Sequence, residues 1–109
     1  MRRSRALFVA GSALGLLCLL GCNGSHQDPL VARGRSVYMA NCIACHNPNP
    51  HRDGNVGPAL QGSSEELLRA RVLEIRYPPG YTPKRPTKVM PPLPHLKPEI
   101  EALHAFLNQ

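Results

Sequence analysis

The sequence predicts a small all-α domain, and two observations carry that reading. Each stretch with a readable period repeats apolar residues at helical spacing behind a helix-start signal: Leu30 to Tyr38 after Asp28-Pro29, Leu67 to Ile75 after Ser63, and Ile100 to Leu107 after Pro98. No βαβ pattern interrupts them. The 109 residues also suit one domain, yet beyond the N-terminal stretch they hold one Phe, three Tyr and no Trp. That aromatic volume is too small for a well-filled core, so an apolar group from outside the chain is expected inside it.

The chain opens on a segment that looks removable. Arg2, Arg3 and Arg5 form a basic region, and Ala6 to Leu20 is an uncharged apolar run, short for a membrane span but suited to a secretory signal. Leu19-Leu20-Gly21-Cys22 resembles a bacterial lipobox, with leucine three before the cysteine and a small residue directly before it. Cys18 competes poorly because Leu17 precedes it. The expected organisation is a lipoprotein signal over 1–21, a lipidated tether over 22–27 and a folded domain over 28–109. An uncleaved anchor and an ordinary secretory signal are the alternatives. Cleavage before Cys22 leaves 88 residues and removes three arginines, so the formal charge of +6 falls to +3. That balance, without a basic stripe interleaved with aromatics, does not suggest nucleic-acid binding. The tether spans roughly 20 Å if extended, which would hold the domain close to a bilayer.

Asp28-Pro29 starts the first helix, with Asp as N-cap and Pro at the first helical position. Leu30, Val31, Gly34, Val37 and Tyr38 recur along one face. A mid-helix glycine costs about 1 kcal/mol relative to alanine, which points to close approach of another helix at Gly34 or to an exposed, merely unfavourable position. The helix should run into Cys42-Ile43-Ala44-Cys45-His46 and fray after it, because Pro48 and Pro50 cannot continue it.

That stretch reads C-x-x-C-H, the attachment sequence of a c-type haem. Each thiol adds across one vinyl group, and the two-residue spacing lets both sulfurs reach from one short segment. The adjacent His46 is then held under the iron as an axial ligand. A redox dithiol would call for a βαβ context, and a zinc site for a second C-x-x-C or a paired histidine motif. His26, His51, His95 and His104 are too scattered for that. The cysteine arithmetic agrees: Cys18 leaves with the signal, Cys22 takes lipid, and Cys42 and Cys45 take haem, leaving no pair for a disulfide.

Residues 46–62 form a loop rich in Asn, Pro and Gly. An iron-bound imidazole needs an acceptor for its second nitrogen, which the Pro58 carbonyl would supply, with Leu60 covering the same face. An ordinary turn is the equally open alternative. Ser63 with Glu66 fits a capping box for the second helix. Its apolar face is Leu67, Leu68, Val72 and Ile75, with Arg69 and Arg71 toward solvent and an end near Arg76. Residues 77–94 hold seven of the 12 prolines. Met90 lies among them, and prolines reduce the entropy lost by a loop that must hold a thioether at iron. Between Arg71 and Lys88 the chain is basic, with Arg71, Arg76, Lys84, Arg85 and Lys88 against one acid, Glu74. Most read as a solvated charged loop, with Arg76 the best candidate for a rim that pairs with propionates or an acidic partner. Pro98 opens the last helix, whose stripe of Ile100, Leu103, Phe106 and Leu107 packs on the core. His95 is a backup ligand.

Taken together, Gly34 to His46, Gly57-Pro58-Ala59-Leu60, Met90-Pro91-Pro92 and the closing Leu-rich helix resemble a class I monohaem cytochrome c, over roughly Leu30 to Leu107. The resemblance implies a cytochrome c-like all-helical fold wrapped around one covalent haem, with His46 and Met90 as axial ligands and the Pro58 carbonyl on the histidine's free N–H. It also implies crossing of the first and last helices, with Gly34 against the Phe106 region. The chain departs from the pattern at Asn47–His51, where a glycine-rich run is usual, and in the crowding of prolines before Met90. The expected function is one-electron transfer on the periplasmic side of a bacterial membrane, between redox protein partners, with no small-molecule substrate and no enzymatic turnover. A fixed haem subunit of a larger oxidoreductase is the alternative. A peroxidase-type or ligand-binding haem protein, which would need Met90 absent or displaced, is the lesser one.

Overall fold

Asp28 begins the first helix, α1 (Pro29–Asn41), by accepting the Leu30 N–H on Oδ1 at 2.8 Å. The computed structural model describes residues 24 and 26–109; the signal, Cys18 and Cys22 lie outside the described residues. The remaining elements are α2 (Glu65–Leu68), a π-helical turn over Arg69–Leu73, a 3-10 helix over Pro94–Glu99 and α3 (Ile100–Leu107). All regular structure among the described residues is helical. Among them, no helix is long and apolar enough to cross a membrane.

The principal packing is α1 against α3. Gly34 is buried at the crossing, where a Cβ would fall 2.8 Å from the Phe106 Cβ and collide with the Ala102 carbonyl. One turn later Tyr38 meets Phe106, with ring centroids 5.3 Å apart and planes tilted by 50°, within the centroid range that aromatic pairs favour. Tyr38, Ile100, Leu103 and Leu107 are the largest fully buried side chains. Burial pushes the Tyr38 phenol up to about 12, with the Cys42 sulfur adding to it. Its hydroxyl donates to the Asn47 carbonyl at 2.6 Å, tying the core to the loop after α1. At the outer end of the crossing, Arg33 makes a two-pronged pair with Glu99 and holds that carboxyl below the usual range.

Four local expectations are corrected. Helix α1 stops at Asn41, directly before the Cys42–His46 motif, which forms a turn of its own. Ser64, not Ser63, caps α2: its Oγ accepts the Leu67 N–H at 3.1 Å, while Ser63 is buried and donates to the Leu60 carbonyl at 2.6 Å. The second helix does not keep α register to Arg76. Its turns widen after Leu68, the last N–H groups return to the Ala70 carbonyl, and Ile75 emerges at φ 56° with its side chain exposed. A β-branched residue pays for that left-handed backbone, so Ile75 ends the helix instead of extending its apolar face. Pro98 does not open α3. It sits inside the 3-10 helix, and α-helical bonding begins only at Ile100, since two prolines deprive the preceding turns of donors.

Alanine at position 34 would recover about 1 kcal/mol of helix propensity, but its Cβ meets backbone, which cannot yield cheaply. Gly34→Ala is therefore expected to lower the unfolding free energy by about 2 kcal/mol or more in denaturant titration. Unchanged or improved stability would show that the helices do not cross at this point.

Candidate haem site

The motif turn is built from backbone bonds. Cys42 caps α1 through its N–H to the Tyr38 carbonyl at 2.9 Å, and its own carbonyl accepts from Cys45 at 3.2 Å and His46 at 2.9 Å. The next loop folds back onto it: Val56 and Gly57 both donate to the Cys45 carbonyl, at 3.3 and 3.0 Å. Cys42, Cys45 and His46 thereby share one wall of a cleft of about 250 Å³. Leu68, Val72, Leu103 and Leu107 belong both to the core and to the cleft lining. The core is thus open on one side, as the shortage of aromatic volume anticipates.

His46 is buried, and its Nδ1 lies 2.9 Å from the Pro58 carbonyl. A carbonyl only accepts, so Nδ1 carries the proton and Nε2 of the neutral ring keeps a lone pair. Burial lowers the His46 pKa, and the Arg85 cation lowers it further, against the opposing pull of the Pro58 bond. Gly57 packs on the ring face, where a Cβ would fall 2.5 Å from Nδ1 and 2.8 Å from Nε2. Both motif cysteines are free thiols, and burial pushes Cys42 up to about 11. Met90 is half-buried, packs against the core and lines the same cleft. The donor set is therefore two unpaired thiols, a neutral imidazole with a free nitrogen and a thioether, in an apolar recess. These residues fit a covalently held haem c. They do not make a zinc site, since no group of three or more His, Cys, Asp or Glu side chains converges among the described residues.

Other residues fall elsewhere than expected. His26, His51 and His95 are exposed and His104 is partly buried; none lines the cleft, so His95 is not placed as a backup ligand. Arg76 pairs with Glu74 outside the cleft. Arg71, expected in solvent, lines the cleft with its guanidinium 4.4 Å from the Tyr77 ring centroid. Tyr77 in turn stacks on Tyr81 at 5.4 Å and 9°. The widened turn over Arg69–Leu73 carries Arg71 to the cleft that Leu67 and Leu68 also line. Lys84 and Arg85 also line the cleft, and both reach backbone carbonyls of the loop after His46.

Gly57→Ala is expected to push the imidazole off its contact with Pro58 and to destabilise the fold by about 2 kcal/mol. Proton NMR of the reduced holoprotein checks this. The His46 Nδ1 proton should exchange with solvent faster in the variant, and an unchanged exchange rate would refute the packing role of Gly57.

Comparison with known proteins found a match to one family model, described as cytochrome C oxidase, cbb3-type, subunit III, over residues 29–107. No curated protein and no solved structure matched. Cytochrome c domains carry covalently bound haem c and usually serve as electron carriers that exchange electrons with redox protein partners. The match runs from the first residue of α1 to the last of α3 and encloses the whole cleft, so the chain belongs to this cytochrome c family.

Proposed function

We propose that the protein is a one-electron carrier holding a single haem c, tethered by lipid at Cys22 on the periplasmic side of a bacterial membrane. The observation that carries the reading is the wiring of His46: a neutral ring, its Nδ1 proton committed to Pro58, beside two free thiols in an apolar cleft that Met90 also lines. Cys42 and Cys45 would make the thioether bonds, and His46 and Met90 would serve as the protein ligands of the iron. Held there, a haem would supply one-electron redox chemistry. Met90, a soft and weakly donating ligand, favours the reduced form relative to a second histidine. As a ligand it would also fill the position that a substrate or peroxide would need, so no turnover is assigned to the site. Leu68, Val72, Leu103 and Leu107 keep water from the interior face of the cleft, and the open side is the route by which electrons would pass during brief encounters.

The ferric protein is expected to show a weak far-red sulfur-to-iron charge-transfer band that vanishes in Met90→Ala. Absence of the band from the wild type, or its survival in the variant, would remove Met90 as a ligand. Mass spectrometry of the mature protein is expected to show one haem and a diacylglyceryl-modified Cys22 as first residue; retention of residues 1–21 or an unmodified Cys22 would remove the lipid tether.

The family description favours a second reading, since it names an oxidase subunit. In that reading the chain is a fixed haem subunit of a larger oxidoreductase, with the proline-dense loop as an interface. Purification from native membranes separates the two: co-elution with a large partner in fixed stoichiometry supports the subunit, and elution alone supports the free carrier.

A further inference from the structure

The segment that carries Met90 packs on the core through Met90 itself but has almost no backbone hydrogen bonds to hold it. Four of residues 82–92 are prolines, which lack an N–H. Among the described residues, no backbone–backbone hydrogen bond joins 82–92 to the rest of the fold; the first such bond comes at Leu93, whose N–H donates to the Val72 carbonyl at 2.6 Å. Side chains supply what the backbone lacks, and they all reach the same place. Lys84 Nζ donates to the Ala59 carbonyl at 2.8 Å. Arg85 donates to the Val56 carbonyl at 3.3 Å and the Gly54 carbonyl at 3.4 Å, and pairs with Asp53 at 3.5 Å. Asp53 in turn accepts the Ala59 N–H at 2.8 Å. Every one of these partners belongs to the 53–59 loop, which presents Gly57 and the Pro58 carbonyl to His46.

We infer that Asp53, Lys84 and Arg85 form a latch across the mouth of the cleft, positioning the Met90 segment on the loop that orients His46. The latch deepens the proposed function and rests on the ligand pair proposed there. Its three residues hydrogen-bond to neither ligand; they act by joining the Met90 segment to the loop that packs on His46. Arg85 is the central member because its planar fork spans two carbonyls and a carboxylate, a task for which a lysine ammonium is a poor substitute. Asp53 stays ionised at neutral pH, held below the usual carboxylate range by the Ala59 N–H first and by Arg85 and Lys84 after it. Lys84 clamps the residue next to Pro58. Opening the latch would leave Met90 on a segment anchored chiefly at Leu93, so the iron–sulfur bond would break more often without the rest of the fold loosening.

The test is an imidazole titration of the ferric holoprotein, with loss of the far-red sulfur-to-iron band reporting displacement of Met90. Arg85→Ala is expected to bind imidazole about tenfold more tightly than wild type, and Arg85→Lys to fall between them. Lys84→Gln and Asp53→Asn are expected to give increases of about threefold. Glu99→Gln, which breaks the ion pair at the far end of the α1–α3 crossing, should lower thermal stability and leave imidazole affinity unchanged. Affinities within about twofold of wild type in both Arg85→Ala and Lys84→Gln would overturn the latch. So would an equal rise in Glu99→Gln, because the effect would then be general loosening. If Arg85→Ala does not fold, the exposed Lys84→Gln and Asp53→Asn decide by the same criterion. A wild-type protein without the band overturns the ligand pair and the latch together, whereas a band with unmoved affinities overturns the latch alone.

Discussion

Without a side chain at Gly34, α1 lies directly on the Ala102 carbonyl, and the floor of the cleft follows from that approach. The crossing sets Tyr38 against Phe106 and brings Leu103 and Leu107 beneath the motif turn. Tyr38 then reaches past the core to the Asn47 carbonyl, which fixes where the chain turns after His46. The position of the imidazole is thus set from two directions: from below by a tyrosine on the crossing, and from the side by a glycine that leaves room for the ring. A methyl group added at either glycine would disturb the same site from a different direction.

The interior is arranged to receive something the chain does not encode. Leucines and a valine that would close a core in a protein of this size line an open recess instead. A flat apolar cofactor joined at Cys42 and Cys45 would complete that core and draw the two loops together over it. Electrostatics support the same design. The imidazole is held neutral by burial and by a nearby guanidinium, the condition a metal-bound histidine requires. At the rim, Lys84 and Arg85 are committed to backbone carbonyls and one carboxylate, and Arg71 to the Tyr77 ring.

Much of this was legible in the sequence where one short stretch determines one local structure. Asp28-Pro29 encodes the start of α1, the C-x-x-C-H spacing puts its three side chains on one wall, and the Ile100–Leu107 stripe marks a buried helix. Legibility failed where tertiary contact decides between near-equal local options. Ser63 and Ser64 are both competent caps, and only the burial of Ser63 beneath the Leu60 carbonyl selects Ser64. Ile75 fits an α-helical face by spacing, but the widened turns after Leu68 break the register on which that spacing rests. Lys84 and Arg85 looked like solvated charges because their partners are mainly backbone carbonyls some thirty residues away, and a carbonyl leaves no mark on residue type.

The proline-dense segment has a further consequence for how the molecule behaves in company. A stretch without regular structure along an open apolar recess leaves its backbone groups free to template a strand from a neighbouring chain. Here the run of imino acids at positions 83, 86, 91 and 92 interrupts the row of donors that such a ladder would need. The recess can therefore present an apolar margin, Val89 included, to a passing protein surface without inviting β-sheet growth or self-association along the backbone.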